Sequence, residues 1–173
     1  MTTAAPAAAA DAEVEVFRSQ ARMTQQVVRM NTAGLTHEES LIQPDPAGNC
    51  LNWVVGHVLW VYNQVLGLLQ QERVMPEAAL KRYERGSPPI HRADEALDLD
   101  EMMATWDETA RRVDAGLAGL TREVLDRPAP MSPSGNPDET VRSLVATVMF
   151  HQAYHAGQTG LLRRLAGKEG AIP

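Results

Sequence analysis

The chain holds 173 residues, enough for one ordinary domain to bury its core without disulfides or a structural metal, so a metal bound here serves function rather than folding. Sixteen basic residues stand against 22 acidic ones, a net charge of -6 with no Lys or Arg cluster longer than a pair, which argues against a nucleic-acid partner. The single cysteine, Cys50, excludes a disulfide framework and a cysteine-based zinc site; it reads as a small buried apolar residue in a reducing compartment.

Strand signals are almost absent and helical periodicity recurs four times, so the expected fold class is all-α. Residues 1–10 have no positive charge and no apolar segment of the secretory kind, and read as a disordered tail before a single domain over 11–168. The first helix is predicted from Asp11 to Thr32, with Val14, Phe17, Ala21, Thr24 and Val28 as its inward stripe. Thr36-His37-Glu38-Glu39 then forms a capping box for a short turn, and Pro44, Pro46 and Gly48 break the chain.

The second helix is predicted to begin near Asn49. Its stripe of Leu51, Val55, Val58, Tyr62, Val65 and Leu69 is joined by Trp53, Val54, Val61 and Leu68, so most of its surface is apolar. Such a helix sits centrally or supplies a subunit interface, and its surplus apolar surface predicts a homodimer. The run Trp53–Val61 is interrupted by His57 and falls far short of the roughly 18 residues that a membrane span needs. A soluble, cytoplasmic protein without a membrane partner is expected. Residues 74–98, with Pro76, Gly86, Pro88 and Pro89, form a long crossover.

The third helix, Leu99 to Leu120, has the seam Leu99, Met103, Trp106, Ala110, Val113, Leu117 and Leu120, with Asp98 or Asp100 as its cap. After a proline-rich link, Asn136 is expected to cap the fourth helix, with Pro137 in its first turn and Glu139 completing a capping box. That helix ends near Gly167, leaving 169–173 as a short tail. The elements describe a four-helix bundle with a long crossover between helices two and three.

On the fourth helix, Leu144, Val148, His151, His155, Gln158, Leu162 and Leu165 follow steps of four and three, which predicts one buried stripe. Two imidazoles on such a stripe are costly unless satisfied, and a divalent metal satisfies them because residues one turn apart converge on a single point. His57, among Trp53, Val54, Trp60 and Val61, supplies a third ligand, whereas His37 and His91 read as solvated surface residues. Gln152 stands where a zinc protease places its glutamate, and no Glu-x-x-His precedes any histidine. Peptide hydrolysis and a ferritin-like di-iron site are both disfavoured. A mononuclear centre of three neutral histidines suits zinc, nickel or iron, and its open positions let a bound water lose its proton near neutral pH.

Two segments, Leu51-Asn52-Trp53-Val54-Val55-Gly56-His57-Val58-Leu59-Trp60 and His151-Gln152-Ala153-Tyr154-His155-Ala156-Gly157-Gln158, the latter followed by Leu161-Leu162-Arg163-Arg164, resemble the signature segments of the DinB/YfiT-like metalloenzymes. The resemblance covers the whole chain in helix order. It implies an up-down-down-up bundle, usually homodimeric, with one metal on the positions of His57, His151 and His155. It also implies a metal- and thiol-dependent S-transferase of detoxification or stress response, using a low-molecular-weight thiol such as bacillithiol and an electrophilic substrate. The alternative is a non-catalytic metal- or small-ligand-binding stress protein of the same fold. The resemblance does not extend to the additional C-terminal domain of the mycothiol-dependent isomerases. Arg163 and Arg164 read as helix C-terminal charges favoured by the helix dipole, or as a carboxylate anchor for the thiol. Tyr154 and Gln158 flank the pair, Tyr154 as packing and Gln158 as an orienting group.

Overall fold

The four apolar stripes become four long helices in a computed structural model that describes the backbone of residues 5–172 and the side-chain surroundings of residues 12–172. Among these residues there are seven α-helices and no named strand: α1 (Ala5–Thr32), α2 (His37–Ser40), α3 (Leu51–Leu68), α4 (Glu77–Leu80), α5 (Leu99–Ala118), α6 (Arg122–Leu125) and α7 (Val141–Leu165). The long helices contact one another in the ring α1, α7, α3, α5.

Side-chain pairs fix the directions. Arg142 meets Glu13 near the starts of α7 and α1, and Asn31 donates to Thr159 Oγ1 at 2.9 Å near their ends, so these two helices run parallel. Arg18 pairs with Asp114 while Arg29 pairs with Asp107, so α5 runs against α1. Asn52 in the first turn of α3 donates to Leu97 O just before α5, and Leu69 after α3 abuts Gly116 late in α5, so α3 and α5 are parallel. The bundle is therefore up-down-down-up.

Several boundaries follow their predicted chemistry. Thr36 caps α2 in a reciprocal capping box with Glu39, and Asp98 caps α5 by accepting from the backbone of Asp100 and Glu101. Three expectations are corrected. Helix α1 begins at Ala5, inside the segment expected as a tail, because the run Ala7–Ala10 consists of the strongest helix former; Met1–Ala4 and Pro173 lie outside the described residues. Helix α7 is capped by Thr140 with Ser143, not by Asn136. The backbone of 127–129 holds the chain back: Ala129 N donates to Glu139 O and Val141 N to Arg127 O, so helical geometry starts only beyond that bridge. The seam of α5 is rotated, with Met102 and Thr109 buried and Met103 and Ala110 only partly so.

The crossover is ordered, carrying α4 and two 3-10 turns, Lys81–Tyr83 and Ala93–Glu95. Leu80, Tyr83 and Ile90 bury themselves against the bundle, and the contacts fall on α3. The apolar surplus of α3 that predicted a dimer is thus covered from within the chain. None of the helices in the described residues is long and apolar enough to cross a membrane.

Candidate metal centre

Helix α3 delivers His57 into the groove between α3 and α7, 5% exposed, with its imidazole between two indoles of the same helix. Trp53, one turn before, stacks at 4.9 Å and 10°, and Trp60, one turn after, at 5.8 Å and 18°. The ring's Nδ1–H donates to Tyr83 O at 2.8 Å. Tyr83 is itself latched, since its hydroxyl donates to Asn52 Oδ1 at 2.9 Å and accepts from Leu97 N at 2.7 Å. Its ring lies against Gly56, where a Cβ would overlap it. A glycine preceding His57 therefore lets the crossover approach closely enough for a carbonyl to orient the imidazole.

Helix α7 delivers the other two rings, with one difference from the predicted stripe. Its buried centre runs through Val145, Val148, Gln152, Ala156 and Thr159, so His151 and His155 sit half-buried at the edge of the seam and Leu165 is exposed. Small residues set this rotation, because Ala156, Thr159 and Gly160 pack closely on Asn31 of α1.

Gln152, fully buried, occupies the centre of that seam. Val58 O can only accept, so the amide nitrogen of Gln152 faces it at 3.2 Å, and Oε1 is left to accept from His151 Nδ1–H at 3.2 Å. Gln158 Oε1 accepts from His155 Nδ1–H at 2.6 Å. Each histidine therefore keeps its proton on Nδ1 and turns a bare Nε2 toward the others. The Nε2 atoms of His57 and His151 lie 3.2 Å apart, and those of His155 and His151 3.1 Å apart.

Bare lone pairs at that distance repel and call for a cation. Nitrogens bound at 2.0–2.1 Å to one tetrahedral ion stand about 3.3 Å from each other, close to the spacing found, so the donor set fits a divalent metal. His57, His151 and His155 form a group able to hold a metal ion, with no Asp, Glu or Cys in it among the described residues. Burial is the main reason that all three imidazoles stay neutral, pulling each below the ordinary histidine pKa, His155 to about 4 despite its bond to Gln158. Metal ligation needs that neutral form.

The remaining candidates fall elsewhere. His91 is exposed as expected, but His37 is half-buried, its Nδ1 closed off without a hydrogen bond. Arg163 donates to the carbonyls of Asn31, Ala33 and Glu169, which removes it as a carboxylate anchor. Tyr154 is exposed and meets the His155 ring edge-on at 5.3 Å. Cys50 is buried, and burial raises its thiol pKa, which disfavours the thiolate form. Gln152 and Tyr83 are partners of the histidines that the helical stripe does not reveal. The signal for Gln152 is its place between the two histidines on the inward face.

The described residues thus form an all-helical up-down-down-up bundle in which three histidines of the second and fourth long helices converge. Residues 20–159 match the model of the DinB superfamily, and the chain belongs to that superfamily. The fold is similar to that of a conserved protein from Enterococcus faecalis solved by crystallography, with a TM-score of 0.69 and 14% identity over 89% of this chain and 97% of that one. No curated protein matches the chain in sequence.

Proposed function

We propose that the protein is a metal-dependent S-transferase that activates a low-molecular-weight thiol at His57, His151 and His155. The observation that carries this is the convergence of three Nε2 atoms whose Nδ1 atoms are all engaged. A divalent ion held there by neutral ligands alone, whether zinc, nickel or iron, keeps its charge and open positions and so favours the thiolate form of a thiol at neutral pH. Tyr83 O, Gln152 and Gln158 hold the rings in the ligating tautomer. Trp53 and Trp60 wall the His57 side with apolar surface and limit water there. In the transfer, the thiol sulfur forms a bond to an electrophilic carbon, the leaving group departs with its electron pair, and the thiol proton passes to solvent. Removal of electrophiles is an activity of detoxification or stress response, and a lone free cysteine fits a reducing compartment such as the cytoplasm.

The test is thiol consumption with bacillithiol, mycothiol, glutathione and cysteine, with and without chelator. The reconstituted protein is expected to exceed the His155→Ala variant with at least one thiol. Equal rates for all four would leave a binding role for the centre instead.

The reading includes a homodimer, now on a different face. From Ser143 to Leu162, α7 carries no Asp, Glu, Lys or Arg, yet Phe150 (73%), Tyr154 (59%) and Leu161 (71%) are exposed, as are Val16 and Met23 of the neighbouring α1. Depletion of charge with exposed aromatic and aliphatic residues marks an interface.

A further inference from the structure

The carbonyl that orients His57 has little local support. Tyr83 ends a single 3-10 turn, Lys81–Tyr83, and Glu84 leaves that turn in an extended conformation, φ -67° and ψ 158°. Among the described residues no backbone N–H donates to Tyr83 O, which accepts from His57 Nδ1 at 2.8 Å instead. A turn this short, with the poor hydrogen-bond geometry of its kind, does not aim a carbonyl by itself. The side chain of the same residue does.

The buried Tyr83 hydroxyl donates to Asn52 Oδ1 at 2.9 Å and accepts from Leu97 N at 2.7 Å, while Asn52 Nδ2 donates to Leu97 O at 2.9 Å. These bonds close a ring that joins the first turn of α3, the crossover and the residue before the Asp98 cap of α5. Leu97 O can only accept, which fixes the orientation of the amide. Position 52 must therefore donate and accept at once, where Asn52 is fully buried. Aspartate lacks the donor and leucine lacks both groups, so either leaves buried atoms of Tyr83 or Leu97 unpaired. Asn52 makes no hydrogen bond to His57, and its influence on that ring passes through Tyr83.

A second fully buried asparagine of α3 offers a comparison. Asn63 ties down the start of the crossover: its Oδ1 accepts from Val74 N at 3.0 Å and Met75 N at 3.3 Å, and its Nδ2 donates to Met75 O at 3.0 Å. Both asparagines fasten the crossover to α3. Only the network of Asn52 reaches a histidine.

We propose that Asn52 is a positioning residue of the metal centre, which holds the Tyr83 carbonyl on His57 and so keeps that imidazole in the tautomer that presents Nε2. The assignment rests on the metal reading of the cluster. It gives Asn52 and Asn63, alike in type, helix and burial, different roles.

The test uses the full chain and two readings. The first is the tautomer of each histidine in the metal-free protein at pH 8, from two-bond proton–nitrogen correlation spectra; the second is zinc affinity, by competition with a chromophoric chelator. In Asn52→Leu, His57 is expected to lose its uniform Nδ1–H form while His151 and His155, held by Gln152 and Gln158, keep theirs. Zinc affinity should fall about 10- to 100-fold, the usual effect of removing a group that orients a ligand. Asn63→Leu should lower the melting temperature and leave both readings as in the wild type. Tyr83→Phe, which keeps the ring on Gly56 and removes only the hydroxyl, should reproduce the effect of Asn52→Leu and carries the test if that variant does not fold. An unchanged His57 tautomer and zinc affinity in these variants, or an equal loss in Asn63→Leu, overturns the role of Asn52. A wild type that binds no zinc overturns the metal reading and this role with it, whereas zinc binding that Asn52→Leu and Tyr83→Phe match overturns this role alone.

Discussion

Each ring of the cluster is held by its own partner: a crossover carbonyl for His57, a buried side-chain amide for His151 and a half-buried side-chain amide one turn on for His155. Groups that orient a metal-binding histidine contribute strongly to affinity, so Gln152→Leu is expected to weaken metal binding about 10- to 100-fold, as measured by competition with a chromophoric chelator. The same burial has a consequence for pH. Because burial lowers His155 to about 4, the metal-free protein should keep its full stability above the unfolded histidine pKa of about 6.5 and lose stability as pH falls from there toward 4, where the unfolded chain takes up protons that the folded cluster refuses. Denaturant midpoints of the chelated protein across that range check this, and His155→Asn should flatten the slope. The three histidines are legible in the sequence because two lie one turn apart and the third sits among tryptophans. Gln152 is not, since a stripe drawn through the histidines puts it one position off the seam. Tyr83 is hidden for another reason: its place beside His57 depends on a crossover whose path no local pattern encodes.

At the scale of elements, the sequence specifies helices well and their rotation less well. Periodicity locates α3 and α5 within about two residues, the usual uncertainty of helix ends, whereas the start of α7 is set by a bridge to residues 127–129 that is distant in the pattern. The crossover is the element on which the site most depends. Its contact with α3 requires Gly56, because a Cβ there would overlap the Tyr83 ring. Gly56→Ala should therefore destabilise the fold by about 1–3 kcal/mol through overpacking, and should also weaken metal binding, because Tyr83 O moves away from His57. Thermal melts with and without metal, paired with metal titration, check both parts. A loss of stability with unchanged metal affinity would separate the crossover from the site.

For the whole molecule, the uncharged outer face of α7 beside α1 is expected to be buried between two copies. Phe150→Glu should convert the dimer to a monomer of 18.9 kDa in light scattering while far-ultraviolet circular dichroism keeps its helical signal, since Phe150 is 73% exposed in the single chain. The central claim, however, concerns the cluster between α3 and α7. Elemental analysis of the purified protein, reconstituted with zinc and desalted, tests it most directly. One ion per chain is predicted for the wild type, and little or none for His57→Ala, His151→Ala and His155→Ala, each still folded because the core forms without the metal. Unchanged occupancy in His151→Ala, whose Nε2 lies within 3.2 Å of both other ligand atoms, would contradict the account.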